Sequence, residues 1–95
     1  MSLYNFLKQY NITPCKKYGQ NFLVDENIIK KILLSVPSKA TNVLEIGAGP
    51  GTLSRFLLQK KHPLWIVEID KQFIPLLEDS IKPHKQAIFL NQDIL

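Results

Sequence analysis

The sequence holds a single cysteine, Cys15, so the chain cannot close a disulfide on itself. That fits a reducing compartment. The first residues, Met1-Ser2-Leu3-Tyr4-Asn5-Phe6-Leu7-Lys8, lack a basic stretch followed by an apolar one, and no secretory signal is read there. No apolar run approaches the ~18–20 residues of a membrane span, so the expected address is cytoplasmic, with no membrane partner. No His/Cys cluster has metal-ligand spacing, and no metal is expected. A nucleophile elbow and a P-loop Lys-Ser/Thr pair are also missing, which argues against serine hydrolases and P-loop nucleotide enzymes. There is no internal repeat and no low-complexity tract.

What remains is a short, mixed chain. Its 95 residues allow one domain at most. At that size about 60–65% of the chain's surface can be buried, a marginal core. The hydrophobic content of 45% nevertheless suits a globular protein. Net charge is +4 and unevenly placed. Residues 1–39 carry six lysines (Lys8, Lys16, Lys17, Lys30, Lys31, Lys39) against Asp25 and Glu26, a net +4. Residues 40–95 carry six basic and six acidic groups, a net zero. A basic amino-terminal third fits either a solvated lysine face or a polyanionic partner.

The most informative stretch is Val43-Leu44-Glu45-Ile46-Gly47-Ala48-Gly49-Pro50-Gly51. An apolar run breaks into three glycines on alternate positions, and a helical pattern follows at once. This reads as strand, tight turn, helix. Glycine at 47 and 49 removes Cβ atoms that would hold a ligand off the backbone and permits positive φ. The dinucleotide fingerprint wants its third glycine three positions after the second, where Thr52 stands instead. Glu45 lies inside the apolar strand, where a carboxylate is costly unless a cation or a hydrogen-bond donor meets it. A pyrophosphate would be a poor neighbour; an ammonium or sulfonium would be a good one. A second apolar strand, Leu64–Ile69, ends in Glu68 and Asp70. Glu68 lies 17 positions after Gly51, near the spacing at which an acid takes ribose hydroxyls. Together these features resemble the S-adenosylmethionine-dependent methyltransferases.

The rest of the chain supplies alternating helices and strands. Leu3, Phe6, Leu7 and Tyr10 share one helical face, ended by Thr13-Pro14. Residues 14–24 read as an ordered loop in which Lys16 and Lys17 suit phosphates, while Tyr18 and Phe22 pack or stack. Asp25 caps a helix with Ile28, Ile29, Ile32, Leu33 and Val36 on its apolar side. A strand is expected at 42–46 and a helix at 52–61, with Leu53, Phe56 and Leu57 inward. A second strand is expected at 64–69. Asp70 then caps a helix bearing Phe73, Leu76, Leu77 and Ile81, in which Pro75 costs a backbone bond unless the start shifts. Ala87-Ile88-Phe89-Leu90 reads as a third strand leading to Asp93.

With Gly19-Gln20-Asn21-Phe22-Leu23-x-Asp25 placed ahead of Leu44-Glu45-Ile46-Gly47-x-Gly49-x-Gly51-x-Leu53, Val67-Glu68-Ile69-Asp70 and the closing Asp93, the chain resembles the ribosomal RNA adenine N6,N6-dimethyltransferase family in nearly all of residues 16–95. The resemblance implies an α/β, Rossmann-like S-adenosylmethionine-dependent methyltransferase fold. The chain would be its first three-strand parallel half with N-terminal helices: residues 1–41 the basic helices and G-Q-N-F-L loop, residues 42–95 the first half of the cofactor-binding domain. It implies S-adenosylmethionine as cofactor, held by Asn21, Leu23, Glu45, Gly47, Gly49, Glu68 and Asp93. Glu68 would take the ribose hydroxyls and Asp93 the adenine amino group. The implied partner is the ribosomal RNA of the small subunit, with Lys16 and Lys17 as candidate RNA contacts.

The family's Asn-x-Pro-Tyr/Phe motif, which grips the target amine, and its helical RNA-binding domain are expected beyond Leu95. The chain is therefore expected to correspond to the amino-terminal part of such an enzyme and to be inactive alone. In the complete enzyme, adenine N6 would attack the activated methyl, and positioning would supply most of the catalysis. Without a fourth strand, residues 42–46 would present an open edge prone to self-association. Two other readings compete: a non-catalytic RNA-binding or assembly module of the same fold, and another Rossmann-like enzyme.

Overall fold

The computed structural model describes residues 8–12 and 25–95. Lys16, Lys17, Asn21 and Leu23, together with Tyr18 and Phe22, lie outside the described residues. Of the first expected helix, Lys8 and Gln9 are described and helical.

Within residues 25–95 three helices and three strands alternate: α1 (Glu26–Ser35), β1 (Val43–Ile46), α2 (Thr52–Gln59), β2 (Leu64–Val67), α3 (Ile74–Ile81) and β3 (Ala87–Leu90). The strands form one parallel sheet in the order β1-β2-β3. Val43 stands beside Leu64, and Leu64 beside Ala87. Parallel neighbours require crossovers, and α2 and α3 pack into one core with Leu64 and Ile66 of β2, so they cover the same face of the sheet. This is the α/β parallel arrangement expected from the sequence. No helix among the described residues is long and apolar enough to cross a membrane.

Local chemistry sets the element ends. Asp25 caps α1, its carboxylate accepting from the amides of Asn27 at 2.9 Å and Ile28 at 3.4 Å. Pro75 proves compatible with its helix because the start does shift. Lys71–Phe73 form a 3-10 turn capped by Asp70, and α3 begins only at Ile74. Proline thus falls in the first turn, where its missing N–H has no helical partner to lose.

The core lies between the sheet and its helices. Leu57 and Leu58 of α2, Leu64 and Ile66 of β2, and Phe73, Leu76 and Leu77 of the α3 segment are all buried. The inner stripe of α2 is Ser54, Leu57 and Leu58, one position on from the expected Leu53, Phe56 and Leu57. Leu53 and Phe56 are half-buried. The rotation has a polar cause, since Ser54 turns inward to meet Glu45. Ile28, expected on the covered side of α1, is exposed, because α1 buries only Ile29 fully.

The opposite face of the sheet is largely uncovered among the described residues, although Val67 is buried. Leu44 and Ile46 of β1 are each 55% exposed, and Trp65 and Ile88 are exposed beside them. Parallel sheets are ordinarily covered on both faces.

Candidate functional site

The glycine turn owes its shape to backbone torsions that a side chain resists. Gly47, Gly49 and Gly51 have φ of 74°, 54° and 78°. Gly51 serves as the N-cap of α2, and a Cβ there would lie 3.1 Å from Cδ2 of Leu77, so any side chain at this position presses on α3. Gly47 differs. A Cβ there would meet nothing within 4 Å, so the space beside it is open to a ligand.

That space is a shallow cavity of about 90 Å³ at the carboxyl ends of the strands, lined by Ile46, Gly47, Val67, Ile69, Gln92, Asp93 and Ile94. Open parallel sheets bind ligands at this end. Aliphatic side chains make most of the lining, and Asp93 adds a carboxylate, an acceptor for an amine. The set suits a flat heterocycle with an exocyclic amino group.

The other acids lie beneath the turn, not around it. Glu68 is 5% exposed. One of its carboxylate oxygens accepts from the Gly49 amide at 2.6 Å, the other from the Asp70 amide at 2.8 Å. It therefore ties the glycine turn to the segment after β2. Glu45 is 8% exposed and accepts from the Ser54 hydroxyl at 2.5 Å. Burial pushes its pKa above the ordinary 4.5; the Ser54 hydrogen bond opposes the rise, and the nearby Glu68 charge adds to it. The donor that a carboxylate in this strand requires is thus Ser54. Of the residues expected at the cofactor, Gly47 and Asp93 line the cavity, while Glu68 is bonded to Gly49 and Glu45 to Ser54 beneath the turn. At the first residue of α2, Thr52 Oγ1 is buried without a partner among the described residues.

Two contributors escaped the sequence reading. One is Ser54, hidden because a serine counts as a surface residue in a hydrophobic pattern. The other is Asn91, whose side-chain amide donates to the carbonyls of Glu68 at 2.9 Å and Ile69 at 3.2 Å. The last backbone ladder bond between these strands runs from Glu68 N–H to Leu90 O at 3.1 Å. Beyond it the strand ends part, and Asn91 bridges the gap between the two walls of the cavity. An amide two residues before an acid at a strand end was the available signal.

Among the described residues no group of His, Cys, Asp or Glu side chains is arranged to hold a metal ion.

Comparison with known proteins agrees with this geometry. The family model described as ribosomal RNA adenine dimethylase matches residues 13–95. The ribosomal RNA small subunit methyltransferase A of Streptococcus thermophilus is 39% identical over 90 residues, and that of Lactococcus lactis 40% over 92. The matches cover 94% and 96% of this chain but 31% of each relative, so the chain spans about a third of their length. Among solved structures, the 23S rRNA methyltransferase ErmE superposes with a TM-score of 0.65 at 30% identity, over 77% of this chain and 30% of that one. A TehB-like SAM-dependent methyltransferase from Corynebacterium glutamicum gives 0.58 at 16% identity, over 95% and 44%, a likeness of fold. The buried acids, the glycine turn and the family match converge: the chain belongs to the ribosomal RNA adenine dimethylase family.

Proposed function

We propose that the chain is the amino-terminal, cofactor-binding part of an S-adenosylmethionine-dependent ribosomal RNA adenine N6,N6-dimethyltransferase acting on small-subunit RNA in the cytoplasm. The observation that carries this is the cavity lined by open Gly47, by Asp93 and by aliphatic side chains at the carboxyl ends of the strands. When bound, the cofactor supplies a methyl group activated on sulfonium. Asp93 accepts from the adenine amino group, and Ile46, Ile69 and Ile94 pack on the ring. Glu68 accepts the ribose hydroxyls with the lone pairs that its two backbone contacts leave free, since a carboxylate offers about four. Gly49 and Glu45 act from below, holding the turn in shape. Asn21 and Leu23 close the pocket, and Lys16 and Lys17 meet RNA phosphates. The groups that grip the target base, and the RNA-binding helices, belong to the part of the relatives that this chain does not match.

The proposed division is residues 1–41 as a basic leader to the sheet and 42–95 as the first half of the cofactor domain. By itself this portion binds cofactor and does not methylate. Its largely uncovered sheet face and the open edge of β1 then drive copies of the chain together, because unpaired strand groups beside exposed Leu44 and Ile46 form a template for association.

Calorimetric titration tests the reading. Saturable binding of S-adenosylmethionine, weakened at least tenfold by Asp93→Ala, and no heat with NAD are expected. Binding of NAD in its place, or affinity indifferent to Asp93, refutes it.

A further inference from the structure

Charge in the strand-bearing part of the chain is balanced in sequence but segregated in space. Three loops meet at the amino ends of the strands, opposite the cavity: residues 36–42, 60–63 and 82–86. Backbone bonds stitch them side by side, from Val43 N–H to Pro63 O at 2.8 Å and from Leu64 N–H to Gln86 O at 3.1 Å. The Gln86 side chain also donates to Leu58 O at 3.0 Å, holding the third loop against the end of α2.

These loops carry Lys39, Lys60, Lys61, Lys82 and Lys85, all exposed, and no acid. The described residues contain ten basic and eight acidic side chains, so this end holds half of the former and none of the latter. The other described residues carry five basic and eight acidic side chains, three of the acids (Glu45, Glu68 and Asp70) being buried, so the described surface away from the rim is close to neutral. Helix dipoles account for only part of the clustering, through Lys60 and Lys82 at the ends of α2 and α3; no basic residue lies in the last turn of α1, α2 or α3. Lys60 and Lys82 sit at C-caps, and Lys39, Lys61 and Lys85 lie outside the helices.

We propose that this lysine rim is a second docking surface for RNA backbone, at the end of the sheet away from the cofactor cavity. The proposal rests on the RNA-substrate reading above. Adjacent strands lie about 4.8 Å apart, so lysines from successive loops stand close enough to meet phosphates of one strand. Each loop contains a proline (Pro37, Pro63, Pro83), which fixes backbone torsions and lowers the ordering cost of binding. A lipid surface would call for Trp, Phe or Leu among the lysines. Apart from Val36 at the first loop's edge, these loops offer only Ala40 and the prolines as apolar residues, and phosphates of a solvated RNA are the better match. The rim stands ~13 Å from the cavity along four-residue strands at ~3.3 Å per residue, so it holds RNA without touching the reacting groups.

Fluorescence anisotropy with a labelled single-stranded RNA tests this on the whole chain. Lys60→Gln/Lys85→Gln is compared with Lys30→Gln/Lys31→Gln, which removes the same charge from α1. Near 0.15 M salt the rim variant loses affinity about tenfold, and its log–log salt slope falls by about 1.4, at ~0.7 per lost contact. The α1 variant binds RNA as the parent does. Equal weakening by both pairs, no RNA binding by the parent, or vesicles of phosphatidylserine bound with the same dependence on Lys60 and Lys85 overturns the proposal. Titration of both variants with S-adenosylhomocysteine separates it from the cofactor reading. Unchanged affinity in both is expected; if the parent binds RNA through the rim and no S-adenosylhomocysteine, the cofactor reading alone fails.

Discussion

Replacing Ser54 by alanine removes one hydroxyl and leaves a buried carboxylate without its side-chain donor. Ser54 is fully buried and its oxygen lies 2.5 Å from Glu45 Oε1. A hydrogen bond to a charged group contributes roughly 1.5–3 kcal/mol. For a domain near 100 residues, 1 kcal/mol moves the melting midpoint by about 4–8 °C, so Ser54→Ala should lower it on the order of 10 °C at pH 7.5. The cost must depend on pH. The folded pKa of Glu45 is raised from 4.5. Below 4.5 both folded and unfolded chains hold the proton; as pH rises, the unfolded chain gives it up first, and stability falls until the raised folded value is passed. Losing Ser54 raises that value further, widening the window over which stability falls. The variant's deficit therefore grows from pH 4 to pH 8. In a Glu45→Gln background the effect of Ser54→Ala should be flat across this range, and Glu45→Gln alone should flatten the parent's own decline. Thermal unfolding followed by circular dichroism at several pH values measures all four chains. A Ser54→Ala deficit that does not change with pH, or one below about 0.5 kcal/mol at pH 7.5, refutes the assignment.

Other outcomes follow from the same geometry. Gly51→Ala should destabilise more than Gly47→Ala: both meet the left-handed penalty of roughly 1–2 kcal/mol, but only the former presses on Leu77; denaturant midpoints rank them. Gly47→Ala should instead show its larger effect in weakened S-adenosylhomocysteine binding, read by calorimetry. Asn91→Ala removes two hydrogen bonds between the cavity walls, about 1–2 kcal/mol, and should speed exchange of the Glu68 and Asp70 amides while sparing those of α2. Ile46→Lys on the uncovered sheet face should reduce self-association in sedimentation velocity with little change in the melting midpoint, since that residue is already 55% exposed.

Sequence alone determined the elements and the chemistry at their ends. Apolar runs of four residues between capped helices left no arrangement but parallel strands with crossovers. Asp25, Asp70 and the glycines announce their roles because caps and positive torsions depend on neighbours within a few residues. What depended on distant partners was not legible. Ser54 reads as surface until Glu45, nine positions earlier, is seen beneath it. Glu68 reads as a ligand-facing acid, yet the fold turns both its oxygens onto backbone amides, one of them 19 positions away. Asn91 bridges carbonyls more than 20 positions away. Likewise, residues 40–95 sum to zero charge along the chain, while the sheet gathers four of their lysines at one end and all of their acids elsewhere. Local rules set torsions and caps; only packing decides which side chains leave water, which meet each other, and on which end of the sheet a charge accumulates.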